Sequence, residues 1–147
     1  MPKASVKRLI ECKKEDLIKL VLDIEKYPEF VPFCFDAKVY ENKNEGDLTK
    51  IIADLTIGKG PFKDTYKSDV VFDKNKDAIF VKNIDGPLNH LKNVWHFEKK
   101  EKGTEISFEI DFEIENKFLN ILMTKSFQFG LNKIADAFQK RAETLYK

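Results

Sequence analysis

The sequence predicts an α+β fold in which a curved antiparallel sheet of about seven strands grips one long C-terminal helix, with one or two short helices after the first strand. Three observations predict it. Apolar residues recur at every second position through most of residues 34–114. The last thirty or so residues switch to helical spacing. Gly and Pro are few (6 and 5), and none falls inside an alternating run. A chain of 147 residues that is 42% hydrophobic is expected to form one domain, 1–147, with a core that needs neither disulfide nor metal.

The elements follow in order. Residues 4–11 alternate weakly (Ala4, Val6, Ile10) and form a first strand. Glu15 to Ile24 places Leu17, Leu20, Val21 and Ile24 at helical spacing, a short amphipathic helix. Tyr27-Pro28-Glu29-Phe30-Val31-Pro32 holds two prolines four apart, which allow a single turn between them but no continuous helix. Strands are expected at 34–42, 47–57, 62–72, 78–84, 91–99 and 104–114, divided by Asn/Gly, Gly-Lys-Gly-Pro, Asp-Lys-Asn, Asp-Gly-Pro and Lys-Gly breaks. In the last of these, Ile106, Phe108, Ile110, Phe112 and Ile114 alternate with Glu105, Ser107, Glu109, Asp111 and Glu113, so one face is apolar and the other almost wholly acidic. That pattern belongs to an antiparallel sheet wet on one side. Lys3 and Lys7 of the first strand are its expected cross-strand partners.

Residues 117–145 read as the long helix. Met123, Phe127, Leu131, Ile134, Phe138 and Leu145 share one stripe, while Phe118, Leu122 and Phe129 lie nearly opposite. The N-terminal half is therefore apolar on both sides, and two explanations are open. Either the double-proline turn packs over it, or it forms an exposed patch for a membrane or partner, made of Tyr27, Phe30, Val31, Phe118, Leu122 and Phe129. A sheet curved around such a helix leaves a mostly apolar cavity between the two. Thirteen Phe residues suit a flat or isoprenoid-like ligand there, or else fill the space themselves.

Composition narrows the partners. Lys and Arg number 26 against 25 Asp and Glu, a balance unlike the basic excess of a general DNA binder. The charged opening, MPKASVKRLIECKK, holds no apolar core of a secretory signal, and no run approaches a membrane span. Cys12 and Cys34 are too few and too far apart for a disulfide framework or a zinc site. The expected location is cytoplasmic, with any membrane contact peripheral to the inner membrane.

Three blocks carry a resemblance. Asp23-(x3)-Tyr27-Pro28-Glu29-Phe30-Val31-Pro32-Phe33-Cys34 resembles the signature of the coenzyme Q-binding START-like family. That family lies in the polyketide cyclase/START-related (SRPBCC) superfamily and also contains the ribosome association toxin RatA. Asp85-Gly86-Pro87-Leu88-Asn89-His90-Leu91-(x3)-Trp95-His96-Phe97 and Asp111-Phe112-Glu113-Ile114-Glu115-Asn116-Lys117 are similar to its second and third blocks. Asn93 and Val94 stand where RatA-like members often carry glycines, and Asn89–Phe97 looks closer to ubiquinone-associated members. No presequence of the mitochondrial kind is visible, so the resemblance implies a bacterial, helix-grip (START-like) protein that binds a hydrophobic ligand and supports quinone function in respiration.

No catalytic residue and no metal ligand set is indicated. His90 and His96 lack partners at metal spacing, and His96 lies opposite Trp95 and Phe97 on its strand. Nucleophile-elbow, phosphate-loop and dinucleotide fingerprints do not occur. The groove is expected to be lined by Phe62, Tyr66, Ser68, Leu91, Asn93, Trp95, Phe97, Phe108, Phe112, Phe127, Leu131 and Phe138, with Tyr66, Ser68 and Asn93 as its polar members. The signatures themselves serve the scaffold first, since buried aromatics are more often core than ligand wall. The expected function is therefore non-enzymatic binding of ubiquinone or a similar prenylated quinone, with no cofactor required. A RatA-like protein that blocks ribosomal subunit association through the large subunit is the alternative, favoured by six basic residues in 117–147 against Asp136 and Glu143. An aromatic polyketide cyclase comes third.

Overall fold

A computed structural model describes the backbone of residues 3–59, 61–85, 88–114 and 117–146; within those spans the side chains of 59, 62, 85, 88–90, 112, 114 and 117–127 are left undescribed. In chain order the elements are β1 (Lys3–Ile10), α1 (Lys14–Leu22), a 3-10 turn (Ile24–Lys26), α2 (Tyr27–Phe30), β2 (Cys34–Glu45), β3 (Leu48–Lys59), β4 (Phe62–Asp73), β5 (Ala78–Asp85), β6 (Leu88–Lys100), β7 (Gly103–Ile114) and α3 (Lys117–Tyr146). The strands form one seven-stranded sheet in the order β1-β7-β6-β5-β4-β3-β2. Every pairing is antiparallel. β2 to β7 run as a meander, and β1 joins its last strand, so the segment containing α1 and α2 crosses from one edge of the sheet to the other.

Local chemistry explains the boundaries. α1 buries Leu17, Ile18, Leu20 and Val21 and carries Glu15 and Asp16 in its first turn, where negative charge suits the helix dipole. α2 takes Pro28 inside its first turn, where no amide hydrogen is needed, and ends at Val31, the residue before Pro32. At the β6–β7 turn Gly103 has φ +158°, and a Cβ there would lie 2.2 Å from the Ile10 carbonyl oxygen. Only glycine lets β1 and its exit pass so close. Thr104 then donates its hydroxyl to the Cys12 carbonyl at 2.9 Å.

The acidic face of β7 is outward, as expected. Lys3 stands opposite Asp111, with Nζ 4.0 Å from Oδ2. Lys7 corrects the expectation: it falls opposite Ser107, two positions along the ladder from Glu105 on one side and Glu109 on the other. On α3, Leu131 and Phe138 are buried and Ile134 packs against the core. Leu145 is 51% exposed, and the fully buried Ala142, one turn after Phe138, continues the stripe instead. Tyr146, in the same last turn, packs against the core, and Leu145 beside it is left to solvent. Arg8, on the inner face of β1, reaches α3 with Nη1 2.5 Å from Asp136 Oδ1 and ties the helix to that edge. Met123 and Phe127 have undescribed side chains.

Candidate functional site

Strand register sorts the concave face into rows that cross the sheet. One row is Phe72, Ile79, Trp95, Phe108 and Val6. The next is Ile51, Val70, Val81, Asn93, Ile110 and Ala4. Beyond it come Val39, Ala53, Ser68 and Asn83, then Ala37, Leu55 and Tyr66. Bulky groups dominate the first row. Small and polar groups enter with the second and third.

The bulky end is solid. Trp95 lies 4.2 Å from Phe108 and 5.1 Å from Phe138 between ring centroids. Tyr27 and Phe30 meet Phe138 edge-on at 5.4 and 5.1 Å, so Phe138 is the hub of an aromatic cluster. The void among Val6, Arg8, Ile10, Trp95, Ile106, Phe108 and Phe138 is about 20 Å³, room for one water at most. Trp95, Phe97, Phe108, Leu131 and Phe138 are thus brought together as core, whichever of them also borders a ligand.

Polar groups collect away from that hub. Ser68 is 1% exposed, yet its Oγ has no hydrogen-bond partner among the described residues. The Oδ1 of half-buried Asn93 is likewise shut off from solvent without one. Asn83, which strand parity had not singled out, uses its Oδ1 to accept from the Leu91 amide at 3.0 Å, where the described β5–β6 ladder has ended at Lys82 and Lys92. Burial raises the phenol of Tyr66 well above its ordinary range, and nearby Cys34 adds to this. Burial also pushes the Cys34 thiol up to about 11. Both groups stay protonated at neutral pH, the opposite of an activated nucleophile. A cavity of about 570 Å³ is lined by Ala4 and Ile110 of the second row, by their neighbours Lys3, Ser5, Glu109 and Asp111, by Lys92 and Val94 on either side of Asn93, and by Gln128 of α3. That volume lies in the range of small-molecule sites. Leu91 is buried on the same face. The expected lining residues Phe62, Phe112 and Phe127 lie outside the described side chains.

The expected surface patch does not assemble as drawn from the sequence. Tyr27, Phe30 and Val31 are half-buried and pack on the core. The Tyr27 hydroxyl donates to the Val21 carbonyl, and burial raises its pKa far above normal. Arg141 lies over the Phe30 ring at 5.1 Å and holds Glu29 at 2.9 Å, so the double-proline turn reaches the C-terminal half of α3, while Phe33 just after it comes within 3.7 Å of where a Cβ on Gly130 would stand. Phe138 draws the turn there because it offers an apolar ring to two others. Phe118 and Leu122 are outside the described side chains, while Phe129 is 65% exposed with the Lys133 ammonium 4.7 Å from its ring centroid. The sequence also hid two exposed aromatics on edge strand β2. Register shifts at Cys34/Asp36 and Val39/Glu41 make Phe35 and Tyr40 bulge residues, which turns them outward. Lys63 lies 3.9 Å from the Phe35 ring centroid, and Lys38 and Lys67 flank Tyr40. His96 is exposed, and the side chain of His90 is not described. Among the described residues no group of three or more potential metal ligands occurs, and no helix is long and apolar enough to cross a membrane.

Comparison with known proteins agrees with this architecture. The family model for polyketide cyclase / dehydrase and lipid transport matches residues 10–139. The chain is 30% identical to the ribosome association toxin RatA of Rickettsia prowazekii over 143 residues, 95% of each chain. It is 32% identical to the mitochondrial coenzyme Q-binding protein COQ10 of Dictyostelium discoideum over 132 residues, 86% of this chain and 62% of that protein. A START superfamily protein from Mycobacterium smegmatis superposes with a TM-score of 0.83 at 17% identity, covering 99% of both chains.

Proposed function

Because this chain belongs to the polyketide cyclase / dehydrase and lipid transport family, we propose that it is a non-enzymatic binding protein for an apolar ligand with a small polar head, ubiquinone or a similar prenylated quinone. The observation that carries this is the placement of Ser68 Oγ and Asn93 Oδ1, two buried polar atoms with no partner among the described residues, on an otherwise apolar concave face. Buried polar atoms are nearly always hydrogen-bonded, so a pair left over on an apolar face marks where a ligand's polar atoms would sit. The tail would be held by burial, at about 0.8 kcal/mol per CH₂. Protonated Tyr66 and Cys34 suit a wall better than a reaction. The similarity to a protein named for binding coenzyme Q supports the ligand class. Exchange with a bilayer would use Phe129 and Phe35 with their lysines, and would place a cytoplasmic protein at the periphery of the inner membrane. Purification from a quinone-containing host, lipid extraction and mass spectrometry test the proposal. We expect a prenylated quinone in about one-to-one yield; repeated recovery of empty protein with no saturable quinone binding would overturn it.

A second reading has its own support. Phe129 and Phe35 each present a solvent-exposed ring with an ammonium over it, a combination that suits stacked bases and phosphates, and a relative of similar identity is named for ribosome association. Ribosome sedimentation across a salt series decides. Co-migration with the large subunit that fades as salt rises and is lost in Lys63→Glu/Lys133→Glu would favour this reading.

A further inference from the structure

We propose that the contact between Phe33 and Gly130 is the gate of the concave site, and that Phe33 swings off α3 to let the ligand in and out. This rests on the concave face being a prenylated-quinone site. In the closed form that face is shut. Ser68 is 1% exposed and Ala53 beside it 0%, and Asn93 Oδ1 is shut off from solvent. A ligand reaches those atoms only when some contact over the face gives way.

The joints around the face differ in strength. On the β1 side, Arg8 holds Asp136 of α3, and the Gln128 amide donates to the Ser5 carbonyl at 3.1 Å. At α2, Glu29 holds Arg141, and the Phe138 ring sits among those of Tyr27, Phe30 and Trp95. Where β2 begins, the contact among the described residues is one ring edge. Phe33 Cε2 lies 3.7 Å from where a Cβ on Gly130 would stand, and no other element comes within 4 Å of that point.

Both residues at this joint are locally unfavourable. Phe33 has φ +69°, a left-handed conformation that bulky side chains avoid. Its carbonyl accepts a hydrogen bond from the Gly58 amide at 3.0 Å, which helps to hold it there. Residues held in such conformations concentrate at clamps and switches. Gly130 is the single glycine of α3, at a helix-interior position that alanine would suit better. Packing does not require it, because 3.7 Å is ordinary van der Waals contact and a methyl group would touch the ring without displacing it. Glycine therefore forgoes both a stronger helix and a firmer hold on Phe33. A joint strained on one side and underfilled on the other opens more readily than the ion-paired joints. Opening returns Phe33 to an ordinary backbone conformation and takes its carbonyl off the Gly58 amide.

The test uses the full chain and a ubiquinone carrying one isoprene unit. Trp95, the single tryptophan, lies in the row next to Asn93, so a bound quinone should quench its fluorescence and report both rates in stopped flow. Gly130→Ala should slow association and dissociation together by about fivefold, the helix-propensity gap between glycine and alanine, and leave Kd within about twofold. Phe33→Ala keeps the strained backbone but removes the ring, and should speed both rates. In the unliganded protein the Gly58 amide should exchange with deuterium faster than amides in the middle of β4, and Gly130→Ala should slow that exchange by about fivefold. Unchanged rates in folded Gly130→Ala, or a change confined to one of the two, would overturn the gate and leave the quinone site standing. If Gly130→Ala does not fold, unaltered rates in Phe33→Ala with a Gly58 amide as protected as the middle of β4 would overturn it equally. Absence of saturable quenching would overturn the quinone site, and the gate with it.

Discussion

Replacing Phe138 by Ala separates packing from ligand binding. Phe138 is 4% exposed and touches Tyr27, Phe30 and Trp95 at centroid distances of 5.1–5.4 Å. Truncating a buried Phe to Ala costs about 3–5 kcal/mol, the upper end applying where neighbours cannot collapse into the space. Here they cannot: Trp95 is fixed against Phe108, and Tyr27 is anchored by its bond to the Val21 carbonyl. With an unfolding entropy of about 2.1 cal/mol/K per residue, a chain of 147 residues has about 0.3 kcal/mol/K in all, so Tm should fall by about 10–16 °C. Differential scanning calorimetry measures the shift, and quinone titration well below the transition measures binding. Affinity should stay within about twofold, as expected when two sites share no partner. A drop in Tm of less than about 3 °C would refute the aromatic hub. A tenfold loss of affinity in a protein of nearly unchanged Tm would show instead that Phe138 is ligand wall.

Three further outcomes are expected. Gly103→Ala should destabilise the protein by more than about 1 kcal/mol in urea titration, because its Cβ would sit 2.2 Å from the Ile10 carbonyl oxygen at a φ that side chains avoid; an unchanged midpoint would contradict the close approach of β1 and β7. Ala142→Leu should cost about 1–3 kcal/mol by overpacking, while Leu145→Gln should lie within about 0.5 kcal/mol of the parent, and the reverse order would restore Leu145 to the core. Alkaline pH should destabilise the fold: the Cys34 thiol is raised from 9.0 to about 11, so the unfolded chain releases its proton first, and the stabilisation present below about pH 9 is lost as pH climbs through 11. Tyr66 and Tyr27 are shifted in the same direction. Urea titrations from pH 8 upward should show this fall, and Cys34→Ser should flatten part of it; a stability independent of pH over that window would count against burial of these groups.

Much of the sheet was legible because alternation and charge agree. In β7 each apolar residue is separated from the next by an acidic or hydroxyl side chain, and only one pleat satisfies both sets. The parity of β4 and β6 likewise pointed Tyr66, Ser68 and Asn93 inward. What alternation cannot register is a slip of one residue. The bulges at Phe35 and Tyr40 reset the phase of β2 twice, so two aromatics that look like core from their type face solvent. Helical periodicity fails in a different way at the end of α3. Ala142 and Leu145 lie on the same stripe, and the angle alone cannot say which of them the core covers. Tyr27 and Phe30 read from the sequence as part of a turn or of a patch, but their partner, Phe138, is more than a hundred residues away and only the fold reveals it.

The rows of the concave face also explain why stability and binding can reside in one sheet without competing. A folded chain of this size gains most from filling its core, and the Trp95 row with Phe138 does so with four large rings and almost no void. One row on, the edge residue falls from Val6 to Ala4 and the centre from Trp95 to Asn93; another row on, Ala53 and Ser68 stand side by side. Each step removes side-chain volume and adds a polar atom, the reverse of what packing alone would select. An unsatisfied buried polar atom costs about 1–3 kcal/mol, so two without a partner among the described residues are a standing loss to the fold by itself. Ser68→Ala and Asn93→Leu should therefore each leave the unliganded protein as stable as the parent or more so, while weakening binding of the quinone. Measured together by thermal unfolding with and without that ligand, those opposite signs distinguish residues kept for binding from residues kept for the fold.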